Sequence, residues 1–147
     1  MKTFQKTMLI GLVLIALTGL FGCSMVQQAV DNADPESDRL LTSFLDALGE
    51  NDSDAAYQLM FPGNMEQADF EDQWTILTND WGSSRDYTYQ KMSVRTSIST
   101  DRKSVSNVYI VSRDNQPDYV VSLARVETGG KSGITNLSIE ILLATFG

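Results

Sequence analysis

Chemistry needs reactive side chains, and this sequence offers few of them. It has no histidine and one cysteine, Cys23, so the commonest general base, transition-metal ligand and triad member are missing together. The acid/base candidates that remain are Asp80 and Asp86, the latter beside Tyr87. A carboxylate of this kind becomes a working base only where burial raises its pKa. No glycine-rich phosphate loop or spaced metal-ligand set occurs, so neither metal nor cofactor is expected. Binding is better provided for. Trp74, Trp81, Tyr87, Tyr89 and Tyr109 combine apolar area with a polar tip and are the candidate lining of a pocket. The alternative is that they fill the core.

Cys23 ends a distinctive leader. Lys2 and Lys6 give a basic start, and Met8 to Leu20 follows with no charged residue. A basic segment followed by a short apolar run is the pattern of a secretory signal. A membrane span needs roughly 20 apolar residues to cross about 30 Å of hydrocarbon, and the run from Met8 to Gly22 is shorter. It closes in Leu20-Phe21-Gly22-Cys23, which resembles the lipobox of bacterial lipoproteins. Leu20 and Gly22 fit that pattern, whereas Phe21 stands where Ala, Ser or Thr is usual. The resemblance implies cleavage before Cys23, lipid on its sulfur and an acylated amino terminus. Two or more acyl chains anchor a protein stably, at about 0.8 kcal/mol per buried CH₂. Cys23 is then a lipid hook, and no thiol nucleophile or internal disulfide remains. An uncleaved anchor and an ordinary secreted protein stay open as other readings. Ser24, where Asp would direct retention, resembles the outer-membrane-directed class if the source has two membranes; with one membrane the protein would face outward from the cell membrane.

Removal of residues 1–22 leaves 125 of the 147 residues, enough for one domain with a real core. The net charge moves from −8 to −10. From Cys23 to Asp80 there are thirteen acids and one basic residue, Arg39; from Trp81 onward there are six acids and eight basic residues. An acidic balance argues against a nucleic-acid partner and against lying flat on anionic lipid. The acidic half reads as a solvated helical surface.

Residues 23–34 read as the lipidated cysteine and a polar tether reaching about 20 Å. Residues 35–147 form the domain. Asp34 is a suitable N-cap, Pro35 fits the first helical position and Glu36 faces the positive end of the dipole. Leu40, Leu41, Phe44, Leu45 and Leu48 make one apolar stripe, with Gly49 as the predicted left-handed terminator. Asn51 to Asp54 caps a short second helix stopped by Phe61-Pro62-Gly63. A third runs from Gln67 to Trp81 with Phe70, Trp74, Leu77 and Trp81 on one face and Gly82 as its stop.

From Arg85 the texture turns to alternating β-branched and aromatic residues. Met92, Val94, Thr96 and Ile98 share a face, and the opposite parity of Tyr87 and Tyr89 predicts a bulge near Gln90 or Lys91. Asp101-Arg102-Lys103 reads as a turn before a strand from Val105 to Ser112. Another turn precedes a strand from Tyr119 to Glu127. After Gly129 to Gly133, the last strand runs from Ile134 to Leu143. Three helices followed by a four-strand meander predict an α+β fold with the helices packed on one face of an antiparallel sheet.

Phe44-Leu45-Asp46-Ala47-Leu48-Gly49-Glu50-Asn51-Asp52, then Ala55-Ala56-Tyr57, resembles the opening of NTF2-like domains, and Phe70 to Gly82 resembles their third helix and its exit into the sheet. Small exported lipoproteins similar to the DUF4878 type are a common setting. The resemblance spans about residues 36–143 and implies a curved sheet wrapped on the helices as a cone. A cystatin-like helix-on-sheet fold is the alternative. Some NTF2-like members are isomerases or dehydratases using an Asp base with a Tyr or His partner, yet no catalytic residue transfers to a position of this chain.

Three functions follow as expectations. The first is a non-catalytic envelope module binding a partner protein or small apolar ligand through the cone or sheet. The second is a structural or assembly accessory of a larger envelope complex, or a homodimer, through the sheet. The third is an acid/base enzyme.

Overall fold

The computed structural model describes residues 29–82 and 85–142. The chain divides into two compact units, one ending at Ala33 and one beginning at Asp34. Cys23 and the leader lie outside the described residues, and residues 29–32 are helical. Among the described residues no helix is long and apolar enough to cross a membrane. The unit from Asp34 onward has the order α1 (Pro35–Glu50), α2 (Ser53–Tyr57), α3 (Gln67–Trp81), β1 (Thr88–Ile98), β2 (Arg102–Ser112), β3 (Tyr119–Thr128) and β4 (Lys131–Ile141). The strands form one antiparallel sheet in the order β1-β2-β3-β4. This is the α+β arrangement of three helices and a four-strand meander.

The apolar stripe of α1 is entirely buried. Phe44 meets Trp74 edge-on at 5.8 Å, and Trp74 stacks on Phe70 at 5.8 Å. The inner sheet face supplies the other half of the core through Tyr109, Val111, Val121, Leu123 and Ile134. Aromatic rings on the α3 stripe thus join two helices before they reach the sheet.

Several local expectations are corrected. Asp34 occupies the position before α1, but its side chain caps no helical N–H and instead points into a buried ionic cluster. Gly49 does not end α1. It is a buried helical residue, and Asn51 adopts the left-handed conformation (φ 55°) with its N–H returned to the carbonyls of the last turn. Asn tolerates that conformation through its short polar side chain. The second helix ends at Tyr57, short of Pro62. The chain beyond it pairs with β4 instead: Phe61 N–H donates to Ile134 O at 2.8 Å and Ile134 N–H to Leu59 O at 2.9 Å. That approach needs Gly133, where a Cβ would stand 2.5 Å from the Phe61 nitrogen.

The strand ends differ too. Arg102 and Lys103 belong to β2, not to a turn, and β4 begins at Lys131. Gly129 and Gly130, at φ 56° and 73°, form the whole of the β3–β4 loop, as a two-residue primed turn requires. The predicted bulge is present one residue on, with Met92 between Lys91 and Ser93. It switches the parity of β1, so Tyr89, Lys91, Val94 and Thr96 face Val111, Tyr109, Asn107 and Val105. The apolar face expected of β1 is therefore not a buried one: Met92 is half exposed and Ile98 is 75% exposed.

Candidate functional site

Helix α1 carries Asp38, Thr42 and Asp46 at four-residue intervals, one row beside its apolar stripe. Lys91 Nζ donates to Asp38 at 2.9 Å, and the Tyr109 hydroxyl donates to Asp38 Oδ1 at 2.9 Å. About 12 Å further along the helix, Asp46 Oδ1 accepts the Tyr87 hydroxyl at 3.0 Å, which also reaches the Thr42 carbonyl at 3.3 Å. The row thus ties β1 and the segment before it to α1 at two heights.

A second ionic cluster sits at the start of α1. Arg125 grips Asp34 with both Nε and Nη2, and Asn107 Nδ2 donates to the same carboxylate at 3.2 Å. Ser37 donates its hydroxyl to Asp34 and accepts Arg125 Nε at 3.1 Å. Burial pushes the Asp34 carboxyl up, but the hydrogen bonds from Arg125, Ser37 and Asn107 outweigh it and leave it below the usual range. These contacts stake Asp34, Ser37, Asp38, Lys91, Asn107 and Arg125 to one purpose, which is holding α1 on the sheet.

A cleft of about 620 Å³ lies at the other end of α1. Arg85 to Tyr89 forms one wall, Ser112 to Asp114 the other, and Asp46 part of the floor. Its volume lies in the range of small-molecule sites, though such sites are usually more apolar. Burial, then the Asp46 hydrogen bond and charge, push the Tyr87 hydroxyl well above its ordinary pKa, so it stays a neutral donor. Arg113 is the unusual member. It is 8% exposed, its guanidinium carbon lies 4.1 Å from the centre of the Trp81 ring, and its Nε and Nη1 are buried without acceptors.

No family model matches the chain, and no curated protein matches it. Solved structures resemble it, among them two at low sequence identity. Bdellovibrio bacteriovorus Bd1075 is 10% identical with a TM-score of 0.47, over 76% of this chain and 41% of that one. The chain thus spans about two-fifths of that protein's length. A candidate dehydratase of the NTF2-like family from Streptomyces avermitilis is 13% identical with a TM-score of 0.45, over 74% of this chain and 95% of that one.

The five aromatic residues expected to line one pocket are divided by the fold. Tyr87 and Tyr89 line the cleft, Tyr89 being 39% exposed. Trp74 and Tyr109 are core residues; Tyr109 is fully buried, and its hydroxyl is pushed up by burial and then by Asp38. Trp81 is buried beneath Arg113 and borders a separate hollow of about 200 Å³ with Asp80, Tyr119 and Ile139. Asp80 and Asp86 are both exposed and line different hollows. Only Asp86 is near Tyr87. Among the described residues no group of three or more His, Cys, Asp or Glu side chains could hold a metal. The residues missed by sequence reasoning are Asp46 and Arg113. The four-residue row on α1 was a legible signal for Asp46, whereas nothing local marks Arg113.

Proposed function

We propose that the protein is a membrane-anchored envelope lipoprotein, held through lipid on Cys23 and outer-membrane-directed where the source has two membranes. Its domain is of the NTF2-like kind and serves as a non-catalytic binding module. The observation that carries this reading is the division of the aromatic residues. Tyr109, Trp74 and Phe44 fill the space beneath the sheet, so a ligand is left with the polar cleft of Tyr87, Tyr89 and Arg113 rather than an apolar cone. The cleft favours a polar ligand, beside the partner protein or small apolar ligand that the sequence leads one to expect. The exposure of Asp80 and Asp86 disfavours the acid/base alternative, which needs a desolvated carboxylate.

Anchoring is tested by fractionation. Wild type should partition with membrane, and Cys23→Ser should be released with its fold intact; retention of the variant in membrane would make the leader a true span. Binding is tested by NMR of the full chain against a library of polar fragments. Shifts confined to residues 85–89 and 112–114 are expected, and their absence would remove the cleft from consideration.

A second reading, an accessory of an envelope complex or a homodimer through the sheet, is favoured by β1. Its outer edge pairs with nothing among the described residues, and Ile98 stands exposed upon it.

A further inference from the structure

We infer that the cleft takes the zwitterionic end of a small ligand of the amino-acid or peptide class, its carboxylate held by Arg113 and its ammonium group by Asp86 and Asp114. This rests on the cleft being the binding site. The starting point is Arg113. A guanidinium carries five N–H donors and a permanent charge, and burying it costs free energy unless acceptors replace water. Among the described residues Arg113 has no ion-pair partner within 4 Å and no side-chain hydrogen bond, and two of its nitrogens are sealed from solvent. The Trp81 ring at 4.1 Å and the Tyr119 ring at 6.0 Å offset part of the cost. They also fix the plane of the guanidinium, so that its remaining nitrogen is presented to a carboxylate in one direction. Nη2 is the nitrogen left to reach the cleft.

The rest of the lining decides the ligand's charge. Besides Arg113 and Arg85, the cleft carries Asp46, Asp86 and Asp114. Asp46 is engaged by Tyr87, and Arg85 leans on Glu50 at 3.7 Å, whereas Asp86 and Asp114 are exposed. A dianion such as phosphate meets three carboxylates on a chain of net charge −8 and is repelled. A simple cation meets Arg113. A ligand with one carboxylate and one ammonium satisfies both sets of groups, and about 620 Å³ is ample for a dipeptide.

The experiment is an NMR titration of the full chain in detergent, reading the Trp81 indole and Arg113 Nε–H resonances. The probes are alanylalanine, its N-acetyl form, its C-terminal amide and inorganic phosphate. Alanylalanine should bind at least about tenfold more tightly than either blocked form, since each block removes one charge-assisted contact, and phosphate should bind least. Arg113→Met should keep the fold, because a buried unpaired charge gives way to an apolar side chain of similar length, and should abolish the preference for a free carboxylate. Asp86→Asn combined with Asp114→Asn should abolish the preference for a free amine. Phosphate binding as tightly as alanylalanine, or a selectivity untouched by Arg113→Met, would overturn the inference while leaving the cleft a binding site. If none of the probes and none of the polar fragments shifts the cleft resonances, both readings fall.

Discussion

The Tyr109 hydroxyl, on a side chain with no solvent exposure, donates to Asp38 Oδ1 at 2.9 Å, and Lys91 occupies the same carboxylate from the neighbouring strand. One acid of α1 therefore serves two strands of the sheet. The helix is fixed to β1 and β2 by a buried ammonium and a buried hydroxyl.

Tyr109→Phe tests that bond. It removes the hydroxyl and leaves the Asp38 carboxylate one donor short in a partly buried place, a loss of about 1–3 kcal/mol. Urea unfolding should show the midpoint fall with the slope unchanged. An unchanged midpoint would mean that Lys91 and water satisfy Asp38 unaided.

The Asp34–Arg125 pair should behave asymmetrically. Asp34→Ala leaves Arg125, whose side chain is 2% exposed, with only the exposed Glu127 at 3.5 Å, and should cost up to about 3–5 kcal/mol. Asp34→Ala combined with Arg125→Met removes both charges and should recover much of the loss. A double variant no more stable than Asp34→Ala would contradict the pairing.

Acid sensitivity follows from the same carboxylate. Its folded pKa lies below the ordinary 3.8, so its contribution is present above that value. The contribution declines as the pH drops below 3.8 and is gone once the pH passes the folded pKa. Stability measured from pH 6 down to 2 should fall in that window, and Asp34→Asn should flatten the fall.

At the alkaline end the sign reverses. Tyr87 and Tyr109 have folded pKa values raised above the ordinary 10.0, by burial first and then by Asp46 and Asp38. Their contribution is complete below pH 10 and is lost as the pH rises toward the folded values. Unfolding above pH 10 should coincide with delayed tyrosinate absorbance from Tyr87 and Tyr109, with Tyr89, also raised by burial, among the delayed groups. Early titration of all five tyrosines together would contradict the burial of Tyr109.

Gly133→Ala tests the join between the α2 exit and β4. The new Cβ would meet the Phe61 backbone at 2.5 Å, and relieving that clash should cost about 1–3 kcal/mol. Amide exchange should quicken at Phe61 and Ile134 while α1 stays protected. Uniform acceleration would show that the join is part of the global unfolding unit.

Local periodicity made the three helices, the meander and the bulge in β1 legible, because a helix stripe and a strand alternation are set by neighbours a few residues away. The stripe Leu40 to Leu48 and the α3 face from Phe70 to Trp81 needed no further information. Phe61 to Ile134 was not legible in this way, since a contact across more than seventy residues leaves no local trace. Gly49 was misplaced for a related reason: Asn51, two residues on, could adopt the same left-handed turn, and the packing of α1 chose between them.

The candidate site divides along the same line. Sequence by itself determined the supply of chemistry: no histidine, one cysteine after an uncharged apolar run, and an acidic first half followed by a more basic second half. It also determined that aromatic residues were available to line a pocket. Tertiary structure alone decided which of them did so. Tyr87 and Tyr89 reached the cleft, while Trp74 and Tyr109 were taken by the core. It also laid Arg113 on Trp81, 32 positions earlier in the chain, with no ion-pair partner within 4 Å among the described residues. Burial is a property of the assembled surfaces, and a side chain's type fixes only what burial will cost or contribute once the other elements arrive.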